Sequence, residues 1–401
     1  MNRKIYSQLS IMMFLQIFVW GSWFVTLGFY LSNIGFSGAE IGTAYLTNNI
    51  AAIISPLFIG LVADRFFSAD RMMAILHLIG GAVLYYVSGL EGVGAITFGF
   101  LFYNACYMPT IALSNAVCFN QMTAPDKQFP KIRVWGTIGW IFAGLLITFV
   151  LGTQIENVEA TSLPMKMAAL GSIILGAYCF TLPNTPPRSK GKKVNLGDIF
   201  GFEAFALLKD KSFAIFSVCS LLISIPLAFY YAFANLYLNE IGMTAVAAKM
   251  TLGQVSEVGF MLLMPFFFRR LGVKWMLLVG MLAWAFRYVL FAVGDMGSMV
   301  SLLYLGILLH GVCYDFFFVT GQVYVDKKAD PSIRSSAQGF IAFLTYGVGL
   351  ALGTSLSGNV VDAFTTDGVK NWSAIWMTPC LIALVVSFLF AISFNDRDKK
   401  V

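Results

Sequence analysis

The chain has 401 residues, of which 58% are hydrophobic and only 11% are charged, and its formal net charge is +6. About a quarter of the residues in a soluble protein are charged, so this composition excludes a soluble enzyme, a disordered chain and a nucleic-acid-binding domain. Twelve apolar spans of about 20 residues would occupy most of the chain. The composition therefore predicts an integral membrane protein.

Apolar segments follow one another along the whole chain, separated by short polar or Gly- and Pro-containing breaks. Such long segments predict transmembrane helices, because in lipid the backbone must close its own hydrogen bonds. The expected fold is therefore an all-α integral membrane protein with twelve transmembrane helices. In chain order the predicted spans are 8–32, 41–63, 72–89, 93–121, 132–152, 165–182, 213–238, 247–268, 275–293, 299–325, 336–361 and 373–394.

A polar linker at 184–212 divides the spans into an N-terminal six-helix half, 1–183, and a C-terminal six-helix half, 213–401. The halves are similar in sequence at equivalent places, for example at 30–37 and 237–244. Two parallel six-helix halves joined by a cytoplasmic linker are typical of the major facilitator superfamily. The chain resembles that superfamily in its predicted architecture.

Positively charged side chains are distributed asymmetrically between the two sides of the predicted spans. Of the 26 Lys and Arg residues, 22 lie in the termini and in alternate connections that share one side. Lys166, Lys249 and Lys370 lie on the other side, and Arg287 lies inside a span. Positive charge marks the cytoplasmic side, so both termini are predicted to be cytoplasmic. The net charge of +6 therefore says little about binding partners.

The connection between the second and third spans contains a candidate gating loop. Its residues Gly60, Asp64 and Arg65, followed by Arg71, resemble the signature loop of the major facilitator superfamily. In that superfamily the charges of the loop latch the two halves together at the cytoplasmic face. An ordinary positively charged loop is the alternative, and the position between these two spans favours the latch.

Polar and aromatic side chains inside the spans are candidates for substrate binding, because buried polar groups are costly in lipid and usually face a cavity. On the fifth span, helical spacing places a cation, a hydroxyl and an indole on one face. On the tenth span it places His310, Tyr314 and Phe317 along one stripe, with Asp315 beside it. The candidates are Gln16 and Trp20 on the first span, Arg133, Thr137 and Trp140 on the fifth, Tyr231 and Asn235 on the seventh, Gln254 and Glu257 on the eighth, and His310, Tyr314, Asp315 and Phe317 on the tenth.

These side chains suit a planar ligand with polar edges. Aromatic faces can stack on a planar ring, amides can present a donor and an acceptor together, and carboxylates can accept from sugar hydroxyls. A nucleoside has all three features. A simple sugar would also stack and form hydrogen bonds, so the residue types alone leave both ligands open.

Three charged residues are candidates for proton coupling. Desolvation disfavours a charged carboxylate, so Glu257 or Asp315 could carry a proton inward, and Arg133 could compete with that proton. A static Arg–carboxylate pair is the alternative. Arg287, near the outer end of its span, is predicted to pair with Asp295 or to extend to the interface.

Neither a cofactor, a metal nor a catalytic group is predicted. The six cysteines lie in apolar segments and are interpreted as buried, unpaired side chains. Both zinc-protease and phosphate-loop motifs are absent from the sequence. His77, one of two histidines, has no partner apparent in the sequence and is interpreted as a packing residue rather than a proton relay. The chain is therefore not expected to be an enzyme, and a proton gradient is its expected energy source.

Segments spread over nearly the whole chain resemble the nucleoside:proton symporter family of the major facilitator superfamily. The matching segments are 14–16, 20–23, 132–139, 254–257, 315–317 and 333–339. The resemblance implies a proton-coupled nucleoside importer of the bacterial inner membrane that works as a monomer by alternating access around a midplane site. It implies that Arg133, Thr137, Gln254, Glu257 and Asp315 bind nucleoside or couple the proton.

The chain differs from the family pattern at several positions around these residues. Ala228 and Tyr231 stand where the family has two amides, His310 and Tyr314 where it has Tyr and Phe, and Trp140 where it has Phe. These differences imply that proton coupling and ribose recognition persist while base preference shifts. The sequence does not choose between purine, pyrimidine and modified nucleosides.

Two alternatives to nucleoside import remain open. One is a carrier of the same superfamily for another small solute, such as a sugar or a drug. Efflux carriers often place an acidic residue in the first half, whereas the buried acids here lie in the second half. The other alternative is a non-transporting membrane sensor, which usually carries an added soluble domain.

Overall fold

The computed structural model describes residues 2–58, 67–187, 202–330 and 333–395. Nearly all of these residues are helical, which confirms the predicted all-α membrane fold, and each predicted span overlaps a helix. Among the described helices, nine are long and apolar enough to cross a membrane. One of these nine contains two predicted spans, and the helices Gly38–Phe58 and Leu163–Cys179 overlap the remaining two. The described helices are therefore consistent with twelve spans.

Contacts divide the chain into two compact units. The first unit comprises 1–36 and 43–196, and the second comprises 37–42 and 197–401. The division at 196/197 falls inside the linker predicted at 184–212. The residues of that linker that the structure describes are not all irregular, because Phe202–Lys209 forms a 3-10 helix.

The first unit consists of helices that follow the first six predicted spans. A break after Trp23 divides the first span into two helices. The helices are α1 (Arg3–Trp23), α2 (Leu27–Asn33), α3 (Gly38–Phe58), α4 (Ala69–Val87), α5 (Val93–Asn120), α6 (Pro125–Leu146), continued by the π-helical segment Ile147–Leu151, and α7 (Leu163–Cys179), which the 3-10 turn Val158–Ala160 precedes.

In the first unit, α1 packs against α6 and α7, and α4 packs against α5 and α7. Their shared core is formed mainly by methionine and aliphatic side chains, of which Met12, Met73 and Leu175 are fully buried. Trp20 and Trp140 pack against this core while remaining partly buried. The core thus holds the predicted face of the fifth span next to the first span.

The second unit follows the last six predicted spans. A short antiparallel pair, β1 (Thr365–Thr366) and β2 (Val369–Lys370), joins its last two spans. The helices are α8 (Lys211–Glu240), α9 (Val246–Val293), α10 (Val300–Leu308), α11 (His310–Tyr314), the π-helical segment Asp315–Val319, α12 (Thr320–Lys328), α13 (Arg334–Ala342), the π-helical segment Phe343–Gly349, α14 (Leu350–Ala363) and α15 (Trp372–Ser393).

Two π-helical segments interrupt the spans of the second unit. The segment Asp315–Val319 lies between α11 and α12, and Phe343–Gly349 lies between α13 and α14. A π turn closes its hydrogen bonds five residues apart instead of four and occurs frequently at functional sites. Asp315 opens one segment and Tyr346 lies in the other. The helical pattern read from the sequence therefore changes phase at both places.

The first turn of α3 belongs by its contacts to the second unit. The carboxylate of Asp362 accepts hydrogen bonds from the backbone N–H groups of Gly38 at 2.6 Å and Ala39 at 2.8 Å. The first N–H groups of a helix have no intrahelical partner, and a carboxylate is favoured near a helix N-terminus. Asp362 therefore serves as a cap for α3.

The element α9 consists of two helical segments that meet at a kink, where the backbone of Gly272 is not helical. Gly272 has φ 67° and ψ 178°, a backbone region that is essentially restricted to glycine. The bend separates the eighth and ninth predicted spans. Glycine, which lacks Cβ, adopts this backbone conformation without the strain that any other residue would have.

We expect Gly272→Ala to lower the free energy of unfolding by about 1–3 kcal/mol, because alanine would be strained in this backbone conformation. Thermal unfolding of the purified protein in detergent measures the effect. Gly259→Ala is the matched control, since Gly259 lies in the same helix with open space where Cβ would be placed. An equal loss of stability in both variants would contradict the assignment of strain to Gly272.

Candidate functional site

The three residues predicted on the fifth span share one face of α6. Arg133 is exposed, and Thr137 and Trp140 are partly buried. The ring centroids of Trp140 and Trp20 are 6.0 Å apart, with the rings close to perpendicular. A second edge contact joins Trp140 to Phe24 at 6.4 Å. The face therefore combines a cation and a hydroxyl with an aromatic wall.

The aromatic wall also offers a hydrogen-bond donor. Trp20 contacts Phe24 and Tyr107 as well as Trp140. Its indole Nε1 is buried and finds no hydrogen-bond acceptor within the described ranges. Buried indole N–H groups usually have a partner. The wall formed by Trp20, Phe24, Tyr107 and Trp140 therefore has an unused donor among its rings.

His77, for which the sequence shows no partner, has two hydrogen-bond partners in the structure. Its Nε2 lies 2.9 Å from Oε1 of Gln16, and its Nδ1 lies 3.0 Å from the hydroxyl of Ser172. Gln16 also donates to Thr110 at 2.8 Å, and Tyr107 donates to the backbone carbonyl of Gln16. The packing pattern of α4 could not reveal this network, because its members lie on four helices. It binds α1, α4, α5 and α7 together.

In the second unit, Glu257 and His310 lie side by side. Oε2 of Glu257 is 4.0 Å from Nε2 of His310, and the Glu257 side chain remains 18% exposed. Two glycines permit this closeness. A Cβ added at Gly311 would lie 2.6 Å from the backbone nitrogen of Glu257, and one added at Gly253 would lie 3.0 Å from Cβ of His310. Helices α9 and α11 therefore meet backbone to backbone at the pair.

Tyrosines surround this pair. His310 stacks on Tyr230 with ring centroids 5.6 Å apart and on Tyr314 at 6.0 Å. The hydroxyl groups of Tyr314 and Tyr346 lie 3.0 Å apart, so one donates to the other. Tyr231 contacts Tyr230 at 6.0 Å and is partly buried. The stripe predicted for His310 and Tyr314 is therefore present in the structure.

Asp315 follows Tyr314 directly and is fully buried. Both of its carboxylate oxygens lack a hydrogen-bond partner among the described residues. Glu257 is the charged side chain that acts on it electrostatically. An ionised carboxylate without partners would be very costly in an apolar interior. The arrangement therefore favours a protonated Asp315.

Three further predicted residues do not join this group in the same way. Asn235 is almost fully buried and is bonded to Asn239 and to the sulfur of Met250. Phe317 is also buried, packed against Phe216 and Trp284. Gln254 is partly buried, and its Oε1 has no hydrogen-bond partner in the part of the chain that is described. Of the three, Gln254 alone presents an unused polar atom.

The prediction for Arg287 is wrong in both of its forms. Arg287 is fully buried, so it does not extend to the interface, and its Nε donates to the carbonyl of Gly306 at 2.9 Å. Its guanidinium lies 4.2 Å from the ring centroid of Tyr230. Asp295 instead accepts from backbone N–H groups of the following loop. The cation is held inside the unit.

A small cavity of about 40 Å³ lies in the second unit beside the π-helical segments. Aromatic rings and four polar side chains line it, and the hydroxyl of Ser220 is buried without a partner in the described structure. The polar lining side chains include Gln322 and Gln338, and Gln338 donates to the backbone carbonyl of Gln322. The cavity has the volume of a few water molecules and is too small for a nucleoside.

The predicted gating loop falls largely outside the described residues. Gly60, Asp64 and Arg65 are among those that the structure does not describe. Arg71 is described, and its Nε lies 3.8 Å from a carboxylate oxygen of Asp70 while most of its side chain is exposed. The latch stays a prediction.

Metal ligands do not cluster in the described ranges, where no group of three or more His, Cys, Asp or Glu side chains could hold an ion. All six cysteines are buried and unpaired, as their apolar surroundings predict.

Comparison with known proteins identifies the family. The family described as nucleoside H+ symporter matches residues 3–399. The chain belongs to this family. It is 43% identical to the putative nucleoside transporter YegT of Escherichia coli, over 99% of the chain and 96% of that protein. It is 36% identical to the xanthosine permease of Escherichia coli, over 98% of the chain and 97% of that protein.

A solved structure agrees with the family assignment. The crystal structure of the nucleoside transporter NupG matches with a TM-score of 0.88 at 33% identity. The match covers 99% of this chain and 100% of that one. The fold is thus that of a major facilitator transporter, and members of this family are transporters and not enzymes.

Sequence reasoning missed Tyr230 and Tyr346, and it gave Arg287 the wrong environment. Tyr230 adjoins the predicted Tyr231, yet the period of a helix gave no reason to prefer it. Tyr346 lies in a Gly-containing segment whose π-helical turn has no evident sequence signal. The sequence showed only that Arg287 is a charged residue inside an apolar span. It did not show which residues surround the side chain.

We expect Trp140→Ala to weaken nucleoside binding by about 1–2 kcal/mol if the indole stacks on the base. Equilibrium binding of labelled nucleoside to the purified protein measures the loss. Trp135→Ala is the matched control, because Trp135 lies on the same helix and is exposed away from the aromatic wall. Unchanged affinity in a folded Trp140 variant would assign this ring to packing.

Proposed function

We propose that this protein imports nucleosides together with protons, and that Glu257 and Asp315 form its proton-binding group. The observation that carries the proposal is the burial of Asp315 with two unpartnered carboxylate oxygens, among the described residues, beside a second acid. Such an acid is stable in lipid when it holds a proton. A carrier that must gain and lose a proton requires a group of this kind.

His310 gives Glu257 a partner that responds to its charge. Its Nε2 faces the Glu257 carboxylate, so an N–H at that position stabilises the ionised acid. Nδ1 of His310 has no partner among the described side chains. No hydrogen bond at Nδ1 therefore fixes which nitrogen of the neutral imidazole carries the proton. Proton release from Glu257 then leaves a carboxylate that already has a nearby donor.

The first unit supplies the groups suited to the nucleoside itself. Trp140 offers a ring face, Thr137 a hydroxyl and Arg133 a cation along one helix face. The unused indole donor of Trp20 adds a polar atom within the aromatic wall. Stacking is tolerant of base identity because every base has a π face. Discrimination between bases must therefore come from hydrogen bonds to the polar edges of the base.

His310, Tyr314 and Trp140 are the positions at which we place altered base preference. A hydroxyl or imidazole introduces donors and acceptors that a phenyl ring lacks. One relative is a xanthosine permease, which makes a purine nucleoside a natural first substrate. We infer that base preference depends on these walls, whereas proton coupling depends on the acids.

We further propose a bacterial inner-membrane location with both termini in the cytoplasm. The 22 cations on one side of the predicted spans support this orientation. We propose that the protein works as a monomer by alternating access, and that it needs no cofactor. Its partners are then the nucleoside, the proton and the lipid bilayer, without nucleic acid.

Uptake of labelled xanthosine, adenosine and uridine into proteoliposomes tests the function. We expect accumulation that requires an inwardly directed pH gradient and is abolished by a protonophore. Labelled sucrose serves as the control for a carrier of another solute. Gradient-driven accumulation of the sugar without any of the nucleosides would overturn the proposal.

We expect Glu257→Gln to abolish gradient-driven accumulation while nucleoside exchange at equal pH persists, because the amide keeps the shape but cannot release a proton. Accumulation and exchange are measured in the same proteoliposomes. Glu91→Gln, which alters an exposed acid, should leave both unchanged. Wild-type accumulation by the Glu257 variant would transfer the proton role to Asp315 or elsewhere.

A further inference from the structure

Arg287 is a buried cation whose hydrogen bonds are incomplete. It is fully buried, and one nitrogen, Nε, donates to the carbonyl of Gly306. Nη1 and Nη2 are also buried and find no acceptor within the described ranges. A helix does not need an arginine to satisfy one carbonyl. The charge itself therefore requires an explanation.

Stacked rings connect Arg287 to the Glu257 pair. The guanidinium lies 4.2 Å from the ring centroid of Tyr230, and Tyr230 stacks on His310 at 5.6 Å. His310 in turn faces Glu257 at 4.0 Å. Polarisable rings in a water-poor interior screen a charge far less than water does. We therefore expect the charge of Arg287 to influence the Glu257 carboxylate through this series of rings.

Charge balance gives the cation its role. More than five residues from the ends of the predicted spans, the second unit contains three charged residues, namely Glu257, Arg287 and Asp315. With both acids ionised their sum is −1, and with one proton bound it is zero. A net charge is costly in lipid. The state with one proton bound is therefore the neutral one, and removal of Arg287 would make the doubly protonated state neutral instead.

We propose that Arg287 is the fixed counter-charge that allows the acid pair to release one proton while retaining the other. It is a positioning residue that acts through electrostatics and touches neither the proton nor the substrate. The inference deepens the proposed function and depends on the proton role of Glu257 and Asp315.

The other titratable groups near Arg287 do not supply this charge. Tyr230 and Tyr231 approach from α8, Cys313 and His310 from α11, and Tyr288 adjoins it on α9. Tyrosine and cysteine side chains in such surroundings are neutral. His310 is shared with Glu257. Arg287 is thus the permanent cation among these groups.

The pH dependence of nucleoside exchange tests the proposal. Exchange requires the protonated carrier, so it declines as the pH rises and the proton is lost. Removing the cation makes the acids hold their protons more firmly, and Arg287→Gln should raise the pH of half-maximal exchange by about one to three units. Arg287→Lys keeps the charge and should restore the wild-type midpoint to within about half a unit.

Arg269→Gln is the control for a general charge effect, because Arg269 is exposed on the same helix. A purely structural role would reduce the amount of folded transporter without moving the midpoint. If the folded Arg287→Gln variant has the same pH of half-maximal exchange as the wild type, and wild-type exchange depends on pH, the counter-charge role of Arg287 is wrong while the proton role of the acids stands. Exchange independent of pH in the wild type would overturn the proton role of the acids as well.

Thermal unfolding in detergent gives a second measurement that does not need transport. In the Arg287→Gln variant, the ionised acids have no counter-charge. The variant should therefore melt below the wild type by more at pH 8, where the acids are ionised, than at pH 5. An equal loss at both pH values would contradict the proposal. Arg287→Lys should show little difference between the two.

Discussion

The constraint on which this structure depends is that polar and charged groups buried in lipid must be satisfied or neutral. The first unit meets it with hydrogen bonds, since Gln16, His77 and Ser172 satisfy one another across three helices. The second unit meets it with charge, because Arg287 balances one of two acids. Satisfied groups hold helices in place. Groups left without partners among the described residues, such as the carboxylate of Asp315, remain available for chemistry.

Most of the fold could be predicted from sequence because lipid permits few structures. Long apolar segments must be helices, and each predicted span overlaps one. Helix ends and local distortions were less predictable. The bend at Gly272 and the π turns at Asp315 and Tyr346 arise from packing between helices, which no single segment records. The break after Trp23 belongs to the same class.

The candidate site could be predicted as a set of residues but not as an arrangement. Intramembrane charges identified Glu257 and Asp315, and helical spacing identified the stripe of His310 and Tyr314. Phe317 lies in the π turn that begins at Asp315, where its ring is buried, and its part in binding stays a prediction. Arg287 was assigned the wrong environment. Its partners are a carbonyl and a ring from other helices, and neither is evident in a sequence as an electrostatic partner.

The contact at Gly253 and Gly311 has a mechanical consequence. Because the backbones of α9 and α11 touch there, neither helix can slide or rotate past the other without a collision. The backbone contact therefore restricts movement of Glu257 relative to His310. Larger movements during transport must therefore occur at other places in the chain.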